Sequence, residues 1–342
     1  TGPSKRRSRA RSRPRGATVT SWRRPNPPTA TTDRCHHGEA AAASGLRFET
    51  SPALRSLDMC APTPVSVCST DGVELVVHDH GGDGIPLLMC HATGFHGRYW
   101  DPICRRLADT FRCLAVDLRG HGDTVVPEGV SMHWHGMAND VLAVIDHFGL
   151  ADLRVVGHSM GGASLVIAES MRPGTITQGW LFEPIVVPSD IVQLANESGE
   201  RTSDMSETAR RRREIFDSRD AAYERYASRP PFSTADPDAL RAYVDHGFED
   251  LPDGTVRLKC RRDVEAQVYE NSMTDAWDRA PGVQSHLVIG GSGDGQGPAH
   301  WAPAVAERLP NGVFEDHPEL THFAPLEAPE RVAAAIRGAV SP

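Results

Sequence analysis

The stretch Val155-Val156-Gly157-His158-Ser159-Met160-Gly161-Gly162-Ala163 constrains this chain most. An apolar run of strand length stops there at a glycine-flanked serine and continues as helix-forming sequence. A serine on so sharp a strand-to-helix turn is held in strained backbone geometry, and only small residues two positions to either side let the turn close. Gly157 and Gly161 supply that room. The turn lifts the Ser159 hydroxyl out of the sheet, and the N–H of Met160, at the helix start, can face a developing oxyanion. The competing reading is an ordinary helix N-cap serine; the rest of the chain decides between them.

Upstream, the apolar run Ile85 to Cys90 ends at His91-Ala92-Thr93-Gly94-Phe95-His96-Gly97, small residues that let a loop approach a substrate. A further strand, Phe111 to Val116, leads into Asp117-Leu118-Arg119-Gly120-His121-Gly122. Downstream, His286 to Ile289 runs into Gly290-Gly291-Ser292-Gly293-Asp294, and Val313-Phe314-Glu315 leads to Thr321-His322-Phe323. The order along the chain is Ser, Asp, His.

With these motifs in this order, the chain resembles the α/β-hydrolase family from roughly Val65 to the C-terminus. The resemblance implies Ser159 as nucleophile, His322 as general base and then acid, Asp294 as the group that orients His322, and the N–H groups of Met160 and Thr93 as the oxyanion hole. It also implies that the Asp117 to Gly122 turn is structural. Two departures stand out: Ala92 follows the oxyanion-loop histidine where the family usually has glycine, and the Asp294 loop is unusually rich in glycine. Glu183 is the alternative acid, because it follows the strand-like Trp180-Leu181-Phe182 and precedes Pro184, where some relatives carry theirs.

The chemistry gives the same trio a reason. A serine hydroxyl is a weak nucleophile at neutral pH and needs a base that takes its proton as it attacks. Histidine titrates near neutrality and can return that proton to the leaving group. A buried carboxylate fixes the imidazole tautomer and stabilises the imidazolium. Serine at the elbow argues against the epoxide-opening and dehalogenating members of the family, which attack through a carboxylate.

The chain's 342 residues, 39% of them hydrophobic, suffice for one large core. No apolar run approaches the roughly 18 residues that span a bilayer, so a soluble protein is expected. Seven cysteines, without C-x-x-C or zinc spacing, read as free thiols in a reducing, cytoplasmic setting. No G-x-G-x-x-G or Walker spacing fits the Gly290 to Gly297 run, and no cofactor or metal is expected. Residues 1–58 differ in kind: Lys5 and eleven arginines against four acidic residues give a formal +8, so of the chain's −9 the remainder carries −17. Rich in Arg, Ser, Pro and Thr, this extension reads as disordered. It is a nucleic-acid-binding tail, a transit-like presequence, or translated sequence upstream of a natural start at Met59, the reading we favour. An acidic body that repels phosphate argues against a nucleic-acid partner.

From Val65 on, a hairpin around Asp71-Gly72 precedes alternating strands (near Leu87, Leu114, Val155, Leu181, Val288 and Phe314) and helices (102–109, 132–148, 160–171, 302–309 and 329–339). Alternation of this kind predicts a mostly parallel twisted sheet with helices on both faces, the α/β-hydrolase fold, formed by residues 59–187 and 282–342. Between them, residues 188–281 read as an inserted, mostly helical lid. Its run Arg210 to Arg213 is expected on a solvated helix face within a helical patch over 207–227. The lid's apolar and aromatic residues Ile215, Phe216, Tyr223, Tyr226, Phe232, Tyr243, Phe248, Tyr269 and Trp277 are candidates to shape a pocket, a minority of them by touching substrate, and the absence of a dominant charge suggests a small to medium hydrophobic ester or lactone. The favoured function is a serine hydrolase acting through an acyl-enzyme. Against it stand other chemistries on the same triad (C–C, thioester or amide cleavage, perhydrolysis) and a non-catalytic ligand receptor on the same fold. Oligomeric state is not legible.

Overall fold

A computed structural model of the chain describes residues 61–198, 203–295 and 297–341. The readings made for residues 1–58, including the start at Met59, lie outside the described residues.

Eight strands form one sheet: β1 (Thr63–Cys68), β2 (Glu74–Asp79), β3 (Ile85–Cys90), β4 (Phe111–Asp117), β5 (Leu153–His158), β6 (Ile176–Phe182) and two later strands, β10 (His286–Ser292) and β11 (Gly312–His317). They lie in the order β1-β2-β4-β3-β5-β6-β10-β11. The first hairpin is antiparallel, β2 pairs antiparallel with β4, and every later pairing is parallel. The expected turn is there, with Asp71 at φ 63°.

Parallel strands buried on both faces read as continuous apolar runs, and alternate residues then serve opposite layers. In β3, Leu88 and Cys90 join the cluster beneath α2 (Trp134–Phe148) and α3 (Met160–Met171), while Leu87 and Met89 join the one beneath α1 (Asp101–Leu107) and α12 (Pro329–Val340). The sheet is thus covered on both faces, as expected. β4 lies on one side of β3 and β5 on the other, so strand order reverses at β3, where open α/β sheets leave a crevice beyond their C-terminal ends.

Helix α10 (Pro298–Arg308) begins four residues earlier than the sequence pattern suggests. Pro298 fits the first helical position because its missing N–H has no intrahelical partner there. The short α11 (Ala324–Glu327) follows His322.

Between β6 and β10 the insertion carries α4 (Ser189–Ser198), α5 (Ser203–Arg210), α6 (Arg219–Ala227), α7 (Pro237–Gly247), α8 (Arg262–Glu270) and α9 (Ala276–Arg279). It also holds a small antiparallel sheet of β7 (Ile215–Phe216), β8 (Phe248–Asp250) and β9 (Val256–Leu258), in the order β7-β9-β8. The helical patch expected over 207–227 is therefore broken. Ile215 and Phe216 pair with Arg257 and Val256, and the Ser218 side chain caps α6 by accepting the Ala221 N–H. Among the described residues no helix is long and apolar enough to cross a membrane. The five described cysteines are unpaired.

Several histidines are walled into this core. Burial pushes His80 and His96 down to about 4, against an ordinary value of 6.5. Both stay neutral in the fold where the unfolded chain takes up protons, so their contribution is whole above about pH 6.5 and is lost as pH falls from there towards 4. Each residue adds a slope of at most about 1.4 kcal/mol per pH unit. Urea unfolding at pH 7.0, 6.0 and 5.0 should show stability falling with acidity, and less steeply in a folded His96→Gln variant than in the wild type. A wild-type profile flat across that window would contradict the assignment.

Candidate active site

The elbow is built as the sequence requires. Ser159 closes β5 with φ 54° and ψ −113°, a left-handed backbone that side-chain-bearing residues rarely adopt, and α3 starts at the next residue. The glycines around it are demanded by contact. A Cβ on Gly157 would sit 2.6 Å from the Gly162 Cα, and one on Gly161 would sit 2.3 Å from the Cys90 carbonyl oxygen. The Ser159 N–H donates to the Phe182 carbonyl at 3.0 Å and its own carbonyl accepts from Ile185 at 3.2 Å, so the end of β6 is tied to the elbow.

That tie places Glu183. It follows β6 directly, is fully buried, and itself has a positive φ of 46°. One carboxylate oxygen accepts the Ser292 N–H at 2.7 Å; the other lies 2.5 Å from His322 Nδ1. Burial alone would raise the Glu183 pKa, but the bonds from His322 and Ser292 and the His322 charge outweigh it and hold the carboxyl below its ordinary value. Glu183 is therefore an ionised acceptor. Nδ1 of His322 carries the proton it shares with that carboxylate, which leaves Nε2 free to accept one.

Asp294 stands elsewhere. Its carboxylate accepts the backbone N–H of His322 at 3.1 Å and makes no recorded bond to the ring. The expectation that Asp294 orients the imidazole is thus not met; the alternative weighed beside it, Glu183, occupies that position. The physical reason is the tie to the elbow: β6 neighbours β5 and brings its first loop residue beneath His322, whereas the glycine-rich loop after β10 reaches the His322 backbone.

His322 is held on its far side too. His158, buried beside Ser159, meets the His322 carbonyl through Nε2 at 2.8 Å and the Tyr99 hydroxyl through Nδ1 at 3.1 Å. A carbonyl can only accept, so Nε2 is the donor; the neutral ring then accepts from Tyr99. Burial keeps His158 well below its ordinary pKa, consistent with that neutral form.

The loop after β3 is braced by two more neutral histidines. Leu118 N–H donates to His91 Nε2 at 3.1 Å, so His91 Nδ1–H donates to the Ala92 carbonyl at 2.8 Å. Gly94 N–H donates to His121 Nε2 at 3.1 Å, and His121 Nδ1–H donates to the Arg119 carbonyl at 3.0 Å. No recorded hydrogen bond among the described residues engages the Thr93 or Met160 N–H. The Asp117 to Gly122 turn is structural, as expected. Arg119 and Asp140 form a buried ion pair at 2.8 Å, and Asp117 accepts from Gly97, Asp123 and His78. His78, Asp117 and Asp123 could also converge on a cation, but the Asp117 oxygens are already bonded and Asp123 pairs with Lys259 at 2.6 Å.

Ser159, His158, His322, Ala92 and Thr93 line one cavity of about 440 Å³, walled otherwise mostly by apolar residues including Trp134, Ile185, Val186, Met273 and Trp301. A second cavity of about 570 Å³ adjoins it, sharing Thr93, Phe95, Met205, Tyr269 and Phe323. Of the aromatic residues singled out in the insertion, Phe216, Tyr226, Phe232, Tyr243 and Tyr269 line this second space. The arginine run does not lie on a purely solvated face, because Arg211, Arg212 and Arg213 line it as well. Sequence periodicity could not have revealed this: the run falls where the helix ends.

Fold and site together define an α/β hydrolase. The family model described as "Alpha/beta hydrolase family" matches residues 87–335, and the chain belongs to that family. A putative non-heme bromoperoxidase, BpoC, of Mycobacterium tuberculosis is 28% identical over 270 residues, covering 76% of this chain and 95% of that protein. Haloalkane dehalogenase 2 of Mycobacterium bovis is 25% identical over 263 residues, covering 75% of this chain and 87% of its own. Among solved structures, E-2-(acetamidomethylene)succinate hydrolase superposes with a TM-score of 0.66 at 21% identity, covering 82% of this chain and all of that one. A thermophilic esterase from Thermogutta terrifontis gives 0.61 at 23%, covering 81% and 97%.

The elbow contacts carry a stability prediction. Gly161→Ala drives a Cβ against the Cys90 backbone and should cost about 1–3 kcal/mol or more, as overpacking does. Gly338→Ala, in the interior of α12 with nothing within 4 Å of the added methyl, should be neutral or stabilising by up to about 1 kcal/mol. Denaturant midpoints of the two variants should move in opposite directions or differ in size accordingly.

Proposed function

We propose that this chain is a serine hydrolase that cleaves a carboxylic ester or lactone through an acyl-enzyme, with Ser159 as nucleophile, His322 as base and then acid, and Glu183 as the orienting carboxylate. One observation carries the reading. Ser159 sits in elbow geometry in the same cavity as a histidine whose Nδ1 is held by a buried, ionised carboxylate at 2.5 Å. In the first step Ser159 Oγ attacks the carbonyl carbon and His322 Nε2 takes its proton. The resulting oxyanion is received by the N–H groups of Thr93 and Met160, the latter at the N-terminus of α3. The tetrahedral intermediate collapses, His322 protonates the leaving oxygen, and water activated by the same histidine releases the acyl group. Glu183 stabilises the imidazolium in both halves.

The insertion of residues 188–281 serves here as the cover of the site, a reading supported by Ile191, Met205, Tyr269, Ser272 and Met273 in the wall of its cavity. The serine supports acyl transfer over dehalogenation, which members of the family perform through a carboxylate at the elbow. The unpaired cysteines support a reducing, cytoplasmic setting. A ligand receptor on this fold needs neither a strained serine nor a base held by a buried acid.

A fluorophosphonate probe should label wild-type protein at Ser159 and leave Ser159→Ala unlabelled. A folded wild type that does not react would favour the receptor. The two carboxylates are separated by their variants: Glu183→Gln should lower ester turnover severely, by about 10⁴-fold if the protease precedent holds. Asp294→Asn, which loses only charge beside a backbone N–H, should cost far less. Steady-state rates on a short-chain aryl ester decide between them, and the reverse ranking would return the role to Asp294.

A further inference from the structure

The second cavity has a chemistry of its own. Arg211, Arg212, Arg213, Arg225 and Arg229 line it, with Glu265 as its one acidic residue among the described residues. It is a positive chamber in a chain whose residues 59–342 carry a formal −17. Arg212 is spoken for: it bonds Glu265 at 2.9 Å and the hydroxyls of Tyr226 at 3.1 Å and Tyr243 at 2.5 Å. Arg213 donates to the Ile215 carbonyl and lies over the Phe216 ring, and Arg211 has a loose contact with Glu207 at 3.6 Å.

Arg225 and Arg229 are different. Among the described residues neither guanidinium has an acidic partner or a recorded hydrogen bond. Arg225 lies in the last turn of α6, and Arg229 follows two residues after the helix ends. A helix C-terminus favours positive charge, but that would be satisfied equally on a face turned to solvent. Both residues are exposed, and both border the chamber.

The chamber is joined to the reaction centre. It shares Thr93, the proposed oxyanion donor, and Phe95 and Phe323 with the cavity that holds Ser159 and His322. Its wall also presses on the oxyanion loop, since Tyr243 donates to the Gly94 carbonyl at 3.3 Å. A substrate carbonyl at Thr93 therefore has an apolar lobe on one side and a cationic lobe on the other.

We infer that the substrate is amphipathic: an ester whose one arm fills the apolar lobe and whose other arm ends in an anionic group, carboxylate or phosphate, received by Arg225 and Arg229. Arginine's planar fork suits either oxyanion. This rests on the serine-hydrolase reading above and narrows its substrate from a merely hydrophobic ester to an anion-bearing one.

The test compares matched ester pairs at low and moderate salt. In one, the acyl arm carries the charge (mono-4-nitrophenyl glutarate against 4-nitrophenyl valerate). In another, the alcohol arm does (4-carboxyphenyl butyrate against phenyl butyrate), and 4-phosphonophenyl butyrate against phenyl butyrate separates phosphate-like from carboxylate recognition. We expect kcat/KM to favour the anionic member of at least one pair by about 10-fold or more, as hydrogen bonds to charged groups allow, with the preference shrinking as salt rises. In Arg225→Gln/Arg229→Gln the ratio should fall towards one. Fluorophosphonate labelling separates the two levels of failure: wild type that does not label at Ser159 sinks the hydrolase reading itself. Wild type that labels there but shows no anionic preference in any pair, or turns over none of these esters, overturns the anion assignment alone. A preference that survives intact in a folded double variant also overturns the role given to these arginines.

Discussion

Backbone packed directly on backbone is the constraint on which the site depends. The chain must turn from β5 into α3 within one residue, and it does so with Ser159 in left-handed geometry and glycines where the Gly162 Cα and the Cys90 carbonyl come within 2.6 and 2.3 Å of where a Cβ would stand. Everything else at the site is referenced to that turn. The Phe182 carbonyl and the Ile185 N–H bond to Ser159 and set the end of β6, which sets Glu183. Glu183 then sets the imidazole of His322, whose carbonyl is fixed from the other side by His158, the residue next to Ser159. The chain of contacts leaves the elbow on one side and returns to it on the other.

A second theme is the use of neutral buried histidines as rigid connectors. His91, His121 and His158 each join a donor and an acceptor that are far apart in sequence, and each one's tautomer follows from the fixed polarity of backbone N–H and C=O partners. Burial keeps all three below their ordinary pKa, so their bonds do not switch across the neutral range. This explains why a chain with sixteen histidines commits only one of them to the proposed chemistry. The Asp117 to Gly122 turn belongs to the same frame, since its Arg119–Asp140 pair and its His121 bond hold the loop that carries Thr93.

The insertion modifies the picture drawn from composition. Residues 188–281 hold 14 Lys and Arg against 20 Asp and Glu, a formal −6, yet the charges are unevenly spread in space: acids pair with arginines on the outside, as Asp220 and Asp245 do with Arg241, while a group of arginines lines the cavity. The expected long helix ends at Arg210, and two residues on Arg212 bonds Glu265, Tyr226 and Tyr243 instead of facing water.

How much of this was legible follows from the range of the interactions. The elbow, the alternating strands and helices and the position of His322 could be read directly, because apolar periodicity and glycine spacing are local properties that steric rules translate into backbone geometry. The sheet and its family could be read from four such motifs in order. What the sequence left open was which carboxylate meets the imidazole: Glu183 and Asp294 both follow strands, both approach His322, and only the adjacency of β6 to β5 gives the ring to one and the backbone to the other. The charge of the second cavity was hidden for the same reason. Whether an arginine faces water or a pocket depends on where its helix ends and on partners more than fifty residues away, as Glu265 is from Arg212, and such pairings are made only when the chain has folded.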